Sequence, residues 1–448
     1  MLTLKHPITS ALMLVLTISG TLSAQKTALD SYIREAWETN PGLNQQRFQR
    51  QKADIALEEA RRLNYPTATL GASYSLAAGG RSIDLPIGDL LNPVYSTLNE
   101  ITGTNQFPML DNVKEQLAPN NFYDAKVRVT QPIYNRDIYY NRQIKKEMAD
   151  LQGIGINQSK RQLAHNIKIA YFQYLQAAEA VGIYKNALSL LEESRRVNQS
   201  LVNNGAGLPG VLVRIDGETS AVQAQMDQAQ VQAKNAAAYF NFLLKKDYAD
   251  PVIIDSLFLA LPERTLQTSA GLREELQQLE SAARINNLVL AQQEAFATPR
   301  VGAQLDLGTQ GFNFEWGGYT LLGVSVEVPL YAGKRNLLKI QQTKLELNAI
   351  QSQKEQVMDQ IALQSAVNRN TLESQFSAYN SYSDQIRSAR RYYNDTQRRY
   401  REGQAGFIEV LDARTQLTNA ELQRSIARYK VWAQLAEIEY ADAAYPID

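Results

Sequence analysis

The chain has 448 residues, no cysteine, two histidines and a formal net charge of zero. The absence of cysteine excludes disulfides, thiolate metal sites, a cysteine nucleophile and a cysteine-borne lipid anchor. The balance of 46 basic and 46 acidic residues argues against a nucleic-acid-binding protein, which needs a net positive field. A mean hydropathy of −0.35 argues against a bundle of membrane-spanning helices, but not against membrane proteins of other kinds.

The first residues have the layout of a secretory signal. A charged start precedes an apolar run at 11–18, and small residues follow up to Ala24. The alternative is an N-terminal membrane anchor, but the run is shorter than the about 20 apolar residues that cross a bilayer. We therefore expect residues 1–24 to be a cleaved signal peptide and the mature protein to be exported.

An internal repeat runs through the rest of the chain. Four prolines, Pro66, Pro132, Pro299 and Pro329, each border a segment in which apolar and polar residues alternate. Each half reads as helix, strand, loop, strand, long helix, turn and helix. The expected first repeat is 25–246, the connection 247–268 and the second repeat 269–448. Strands are expected at about 66–78, 121–133, 299–308 and 319–331, a long loop at 79–120, and helical hairpins at 135–246 and 333–440.

The four strand segments each carry one apolar face. After Pro66, the residues Ala68, Leu70, Ala72 and Tyr74 alternate with threonine, glycine and serine. Half-buried strands of a soluble sheet are one interpretation. The segments are, however, about 9–12 residues long, which is the length of a tilted transmembrane strand. Aromatic residues at the segment ends would suit a lipid headgroup region, namely Tyr65, Phe122, Tyr134, Trp316, Tyr319 and Tyr331.

Two very long helices are predicted. The segment 334–402 contains neither glycine nor proline, which at 1.5 Å per residue corresponds to roughly 100 Å of helix. Its apolar residues Leu347, Ile350, Val357 and Ile361 are spaced by three, seven and four positions, which is typical of a coiled-coil seam. A helix of this length does not fit a compact domain and indicates a rod, a tunnel wall or a fibre.

The most specific motif lies between Tyr400 and Leu422. A tyrosine is followed by a glycine, then by an acidic residue and Val-Leu-Asp-Ala, and Asn40-Pro41 adds an early signal in the first helix. In this order, the features resemble the TolC-type outer-membrane efflux proteins over essentially the whole mature chain. The resemblance implies a mixed fold of α-helices and transmembrane β-strands. Three protomers would each give four strands to one twelve-stranded β-barrel, continued by a long coiled-coil α-helical tunnel in the periplasm.

The resemblance also implies what the protein does. It would be the outer-membrane export channel of a tripartite efflux or type I secretion system, a passive duct in a Gram-negative bacterium and not an enzyme. Its partners would be two further copies, a periplasmic adaptor (membrane fusion) protein, an inner-membrane pump of the RND, ABC or MFS class, and outer-membrane lipid. No cofactor, metal or nucleic acid is expected. The loop at 79–120 would be extracellular.

Two carboxylates are the strongest candidate site. Glu409 and Asp412 lie three residues apart near a helix start, so both point to roughly one face. They could simply complement the positive end of the helix dipole. In the resembled family, acidic residues at these positions ring the periplasmic aperture, and three copies would bring six carboxylates to one opening, which attracts cations.

The turns beside these carboxylates supply the remaining candidates. Tyr400 matches the family's gate tyrosine, and Arg401 and Gln404 complete the expected gate network. Ala405 stands where the best-known members have an arginine, so that position cannot form the closing ion pair, and Arg398, Arg399 or Arg401 is left to replace it. The residues expected to contact partners at the hairpin tips are Gly205, Leu208, Pro209, Val211, Gly403 and Gly406.

Two other classes of function compete with the channel. A periplasmic coiled-coil adaptor would carry one helical hairpin and lipoyl-like β modules, whereas this chain has two hairpins and strands with single apolar faces. An exported enzyme is less favoured, because a single histidine outside the predicted signal, His165, cannot supply a Ser-His-Asp set. The sequence does not identify the exported cargo.

Overall fold

The structure is a computed structural model that describes residues 27–118, 120–263 and 271–447. The predicted signal peptide and part of the predicted connection at 247–268 lie outside these residues. The described chain divides into two compact units. One contains the described residues of 1–44, 157–273 and 361–448, and the other contains those of 45–156 and 274–360.

The described residues are predominantly helical and form six strands. The helices are α1 (Ala28–Thr39), α2 (Pro41–Arg62), α3 (Ile87–Thr102), α4 (Arg136–Asn203), α5 (Pro209–Leu244), α6 (Glu274–Glu294), α7 (Arg335–Arg401) and α8 (Phe407–Ala441). The strands are β1 (Thr67–Ser75), β2 (Ser82–Leu85), β3 (Val113–Gln116), β4 (Phe122–Tyr134), β5 (Arg300–Phe312) and β6 (Gly318–Glu327). This order places a strand pair and a helical hairpin in each half of the chain.

The two long helices follow from the absence of helix breakers. α4 has 68 residues and α7 has 67, which at 1.5 Å per residue is about 100 Å each. Neither contains proline, and α4 continues through Gly153, Gly155 and Gly182 because single glycines only weaken a helix. Among the described residues, no helix has an apolar stretch long enough to cross a membrane.

Four strands form one antiparallel sheet in the order β1-β4-β5-β6. Arg128 of β4 is opposite Asp306 of β5, and polar residues of both strands share that face. The other face is apolar and exposed to a large extent, as the alternation predicts. Leu70 in β1 is 80% exposed and Leu322 in β6 is 77% exposed. β1 and β6 are the edges, since each pairs with one strand only.

Prolines modify two of the strands. β6 ends at Glu327, before Val328 and Pro329, instead of continuing to about 331. Proline has no backbone N–H and cannot extend a hydrogen-bonded ladder, so the strand stops there. β4 continues past Pro132 to Tyr134, where its register with β5 shifts by an irregularity.

The segment predicted as a loop at 79–120 contains regular structure. β2 and β3 pair antiparallel as a hairpin, and α3 lies between them in sequence. Asn121 closes the segment, because its backbone oxygen accepts a hydrogen bond from Asn313 N at 2.9 Å. The segment, which we name the insertion, is therefore joined to the turn between β5 and β6. Its predicted extracellular position stays a prediction.

The first unit has an aromatic core. Ile33 of α1, Ile167 and Tyr171 of α4, and Phe240 of α5 are fully buried there. The Tyr171 hydroxyl donates to Ile253 O and accepts from Asp255 N, each at 2.9 Å. Burial raises the pKa of Tyr171 to about 12. A second cluster of buried side chains joins α4, α5, α7 and α8 near the hairpin turns and positions the candidate site.

Candidate functional site

The turn between α7 and α8 is fixed by its own backbone. Gly403 has φ +73°, a conformation that costs an L side chain energy, and its N–H donates to Tyr400 O at 3.0 Å. Gln404 N donates to Arg399 O at 2.7 Å. α8 then begins at Phe407, directly after Gly406. The candidate carboxylates therefore leave the turn on the first residues of a well-defined helix.

Glu409 and Asp412 share the exposed face of α8, while Val410 and Leu411 are buried. Glu409 Oε1 accepts a hydrogen bond from Gly406 N at 3.0 Å, and Asp412 Oδ2 accepts from Gln416 Nε2 at 2.7 Å. The hydrogen bond from Gly406 N gives Glu409 a role at the start of α8, which the sequence had left open as an alternative. Because an exposed carboxylate keeps free lone pairs, this contact leaves Glu409 able to interact with cations as well.

Tyr400 links the two hairpins of the first unit. Its hydroxyl donates to Asn198 Oδ1 of α4, and its ring lies 5.5 Å from the ring of Phe407. Asn198 is buried, and its Nδ2 donates to Ser194 O at 2.8 Å, which orients the amide. Burial raises the pKa of the Tyr400 hydroxyl, so it remains a protonated donor at neutral pH.

The other predicted members of the gate network lie at the surface of the turn. Arg401 and Gln404 are exposed. Arg398 Nη2 donates to Asp395 of its own helix at 2.6 Å, and Arg399 Nη2 lies 3.4 Å from the backbone oxygen of Gln404. The arginines that could replace the family's missing one at Ala405 are thus bound locally or exposed.

A buried arginine lies close to the turn. Arg414 of α8 is 3% exposed, and its Nη2 donates to Glu218 Oε1 of α5 at 2.5 Å. Within the described residues, its Nε and Nη1 have no hydrogen-bond acceptor. Burial lowers the pKa of Arg414, and the Glu218 carboxylate opposes that shift. This pair connects α8 to α5 in the same way that Tyr400 connects α7 to α4.

The turn between α4 and α5 presents the other predicted contact residues. Gly205 has φ +71° and donates its N–H to Val202 O at 3.0 Å. Leu208 and Pro209 are exposed at the start of α5, whereas Val211 is half-buried against the cluster near the turns. Leu208 and Pro209 are therefore free to meet a partner, and Val211 contributes mainly to the packing of the tip.

The sheet of the second unit has a charged face. Arg128 Nε and Nη2 donate to the two carboxylate oxygens of Asp306 at 2.9 and 2.8 Å. Lys126 donates to Asp124, and Gln304 Nε2 donates to Asp306 Oδ2 at 2.9 Å. Two bases thus compensate two acids, with Lys126 and Asp124 paired along β4 and Arg128 and Asp306 paired across neighbouring strands. Planar two-point pairing by arginine gives the row a fixed geometry.

The predicted interface aromatics lie on the charged face of the sheet and at or beyond the ends of its strands. The Tyr319 hydroxyl donates to Asp124 Oδ1 at 2.9 Å, so this ring lies on the charged face. Phe122 lies on the same face, with its ring 5.2 Å from that of Phe312. The four others are exposed and lie in the segments next to the strands or, for Tyr134, at the end of β4. They are Tyr65, Tyr134, Trp316 and Tyr331.

Comparison with known proteins finds a relative that is similar over most of the chain. No protein-family model matches the chain. Outer membrane protein TolC of Escherichia coli (strain K12) is 22% identical over 445 residues, which cover 92% of this chain and 82% of that protein. The chain is thus similar to TolC in sequence over nearly its whole length.

Solved structures of outer-membrane channels show the same fold as this chain. The outer-membrane channel OprN matches with a TM-score of 0.70 at 18% identity, covering 93% of this chain and 90% of that one. The open state of the MtrE outer-membrane channel of Neisseria gonorrhoeae matches with a TM-score of 0.71 at 17% identity, covering 93% and 89%. The predicted mixed architecture of long helices and a small sheet is confirmed.

Sequence reasoning missed several partners within the candidate site. Asn198, Glu218 and Arg414 are polar residues in long helices and carry no motif of their own. The only available signal is that Arg414 occupies an inward position of α8, between buried neighbours such as Ala413 and Leu417. Among the described residues, no cluster of three or more acidic or histidine side chains could hold a metal ion.

Proposed function

We propose that this chain is an outer-membrane export channel of a tripartite system, a passive duct and not an enzyme. The observation that carries the proposal is the sheet with one exposed apolar face and one charged face. Such a sheet suits lipid on the apolar side and water on the other. The TolC-type family and the fold shared with outer-membrane channels support the same function.

The proposed channel is a homotrimer. The edge strands β1 and β6 leave backbone N–H and C=O groups unpaired, and these groups cannot be left open in lipid. Three copies, with β6 of one paired to β1 of the next, would close a twelve-stranded barrel without free edges. The alternating side chains would then place Leu70 and Leu322 toward lipid, and Asp124, Arg128 and Asp306 toward the water-filled interior.

Each protomer would contribute two helical hairpins to a periplasmic tunnel. In both halves of the chain, a pair of strands is followed by a helical hairpin. This order supports an internal duplication with repeats at about 25–246 and 269–448. The lengths of α4 and α7 suit the wall of a tunnel, because about 100 Å is longer than any compact domain of this size requires.

The tips of the hairpins would form a cation-attracting aperture. Glu409 and Asp412 are exposed on one face of α8, and three copies would bring six carboxylates to the opening. The Tyr400–Asn198 hydrogen bond and the Arg414–Glu218 ion pair join the two hairpins of one protomer, so both would hold the aperture closed. Opening would then require that α7 and α8 move away from α4 and α5.

TolC-type channels work with adaptor and pump partners in tripartite systems. For this chain we propose a periplasmic adaptor that contacts the exposed turn residues Leu208 and Pro209, together with Gly205, Gly403 and Gly406. The energy would come from an inner-membrane RND, ABC or MFS pump. Location in the outer membrane of a Gram-negative bacterium follows from the same proposal.

The mass of the detergent-extracted protein tests the assembly. We expect the protein to be found in the outer-membrane fraction, and its mass, corrected for bound detergent, to be three times that of one mature chain. A monomer in solution that needs no detergent would refute the channel and would favour an adaptor-like protein. The matched control is an unrelated outer-membrane protein of known oligomeric state, extracted and measured in parallel.

A further inference from the structure

The insertion between β1 and β4 holds a helix whose inward face is polar. Asn92 of α3 accepts from Leu110 N at 2.7 Å and donates to Leu110 O at 2.9 Å. Asn99 does the same with Phe107, at 3.1 and 2.8 Å. A Cβ on Gly88 would lie 2.3 Å from Leu110 O, so the two segments are in close contact. Side-chain amides and backbone, together with the contact between the rings of Tyr95 and Phe107 at 5.6 Å, therefore fix α3 within its own chain.

The apolar residues of α3 face the opposite way. Ile87, Leu91, Val94, Leu98 and Ile101 follow one another at steps of four, three, four and three. Ile101 is 77% exposed, and Leu90, which flanks this row, is 68% exposed. We name these six residues the α3 stripe. Val94 is 52% exposed and Leu91 38%, while Ile87 and Leu98 are half-buried. An apolar row that is in large part open to water in the protomer indicates a surface that is covered in the assembly.

The spacing of the α3 stripe indicates another helix as the cover. Alternating steps of four and three are the heptad pattern of a coiled-coil seam, in which each side chain fits between residues of a facing helix. The seam carries no charge and extends along the 16 residues of α3, which has Pro93 in its interior next to the seam residue Val94. A seam of two heptads is too short to associate alone, but copies held in one assembly meet at a high effective concentration.

The charge of the insertion argues against a lipid surface. Residues 79–120 contain five acidic residues and two basic ones, and α3 has Asp89 and Glu100 but no lysine or arginine. Helices that lie on anionic membranes carry basic residues on their polar face. The insertion also follows directly from the edge strand β1, which the proposed barrel pairs with the next copy. Another copy of this chain is therefore the cover that the charges and the topology favour.

We propose that the α3 stripes of three copies pack on one another as a three-helix cap. The inference rests on the proposed trimer, whose three-fold axis brings the same face of α3 from each copy to one place. Ala77 N donates to Asn120 Oδ1 at 3.1 Å, which closes the base of the insertion where β1 ends and β4 begins. The cap thus stands at the end of the sheet that carries the β5–β6 turn. It narrows the exit of the channel.

Single-cysteine cross-linking tests the cap, because the natural chain contains no cysteine. Val94→Cys lies on the α3 stripe, and Ser96→Cys lies on the exposed opposite side of the same helix and serves as the matched control. We expect a short bis-maleimide to join two chains of the detergent-extracted trimer through Val94→Cys about tenfold more than through Ser96→Cys. Ile101→Cys and Glu100→Cys form a second pair of the same design, should the first variant fail to assemble.

The outcomes separate this inference from the proposed function. Equal or absent cross-linking in both pairs, with the trimeric mass retained, overturns the cap and leaves the channel standing. An environment-sensitive fluorophore at Val94→Cys that is quenched by a lipid-borne quencher in vesicles shows that lipid covers the stripe, and also overturns the cap. A monomeric mass for the unmodified protein overturns the proposed function and the cap with it.

Discussion

The hydrogen bond between Tyr400 and Asn198 is the contact whose loss should change gating most clearly. Tyr400→Phe removes the donor hydroxyl and keeps the ring against Phe407. The buried Asn198 Oδ1 then loses its partner, since the amide is held by Ser194 O on its other side. A buried hydrogen bond contributes about 1 kcal/mol net, and the unsatisfied acceptor brings the loss to about 1–2 kcal/mol.

That energy sets the size of the effect. If the bond exists only in the closed tip, its loss shifts the closed-to-open equilibrium of one protomer by a factor of roughly 5–30. Burial raises the pKa of Tyr400 in the folded chain above its value in the unfolded chain. The stabilisation by the protonated hydroxyl is therefore complete below the unfolded-state pKa, and it is lost only as the pH rises through the folded-state pKa. The effect of the substitution should therefore be the same throughout the neutral range.

Single-channel recording in planar bilayers measures this shift as the fraction of time spent open. Tyr392→Phe is the matched control, because Tyr392 is an exposed tyrosine of the same helix. We expect Tyr400→Phe and Asn198→Ala to increase the open fraction to a similar extent, and the double variant to add little further. If Tyr400→Phe opens the channel no more than Tyr392→Phe does, the bond does not hold the tip closed.

Three further predictions concern the same region. Glu409→Gln with Asp412→Asn should weaken the cation preference measured from reversal potentials and the block by divalent ions. Thermal stability should be unchanged, because glutamine still caps α8. Unchanged selectivity would show that the aperture lies elsewhere. Arg414→Met should lower the unfolding temperature in calorimetry. Adding Glu218→Leu to the same chain should restore that temperature, since a well-packed apolar pair can replace a buried ion pair. A double variant that is as unstable as Arg414→Met alone would contradict this. Gly403→Ala should destabilise the protein by about 1 kcal/mol in the same assay because of the positive φ, and an unchanged transition would show that the turn adapts.

Much of the fold could be predicted from local pattern. The absence of glycine and proline between Lys334 and Glu402 predicts a single helix, and the structure has α7 at Arg335–Arg401. Period-two alternation predicts the apolar face of β1 and β6. Pro329 already indicates that the last strand ends before about 331, since proline cannot continue a strand ladder, and β6 ends at Glu327.

The remaining features depend on contacts between distant parts of the chain. Tyr400 and Asn198 are 202 positions apart, and Arg414 and Glu218 are 196 apart, so no local pattern pairs them. The insertion was predicted as a loop because its glycines and prolines mask the heptad spacing of α3. The inward face of α3 is held by hydrogen bonds between asparagine side chains and the backbone. That face therefore has no periodic row of apolar residues from which a packed helix could be predicted.

The conductance of the unmodified protein in a planar bilayer tests the central claim most directly. A trimeric duct should give discrete current steps that are selective for cations at low salt, and added divalent ions should block them from the side of the helical tips. Purified protein that inserts without current steps, or that does not insert at all, would contradict the account of this chain as an outer-membrane channel.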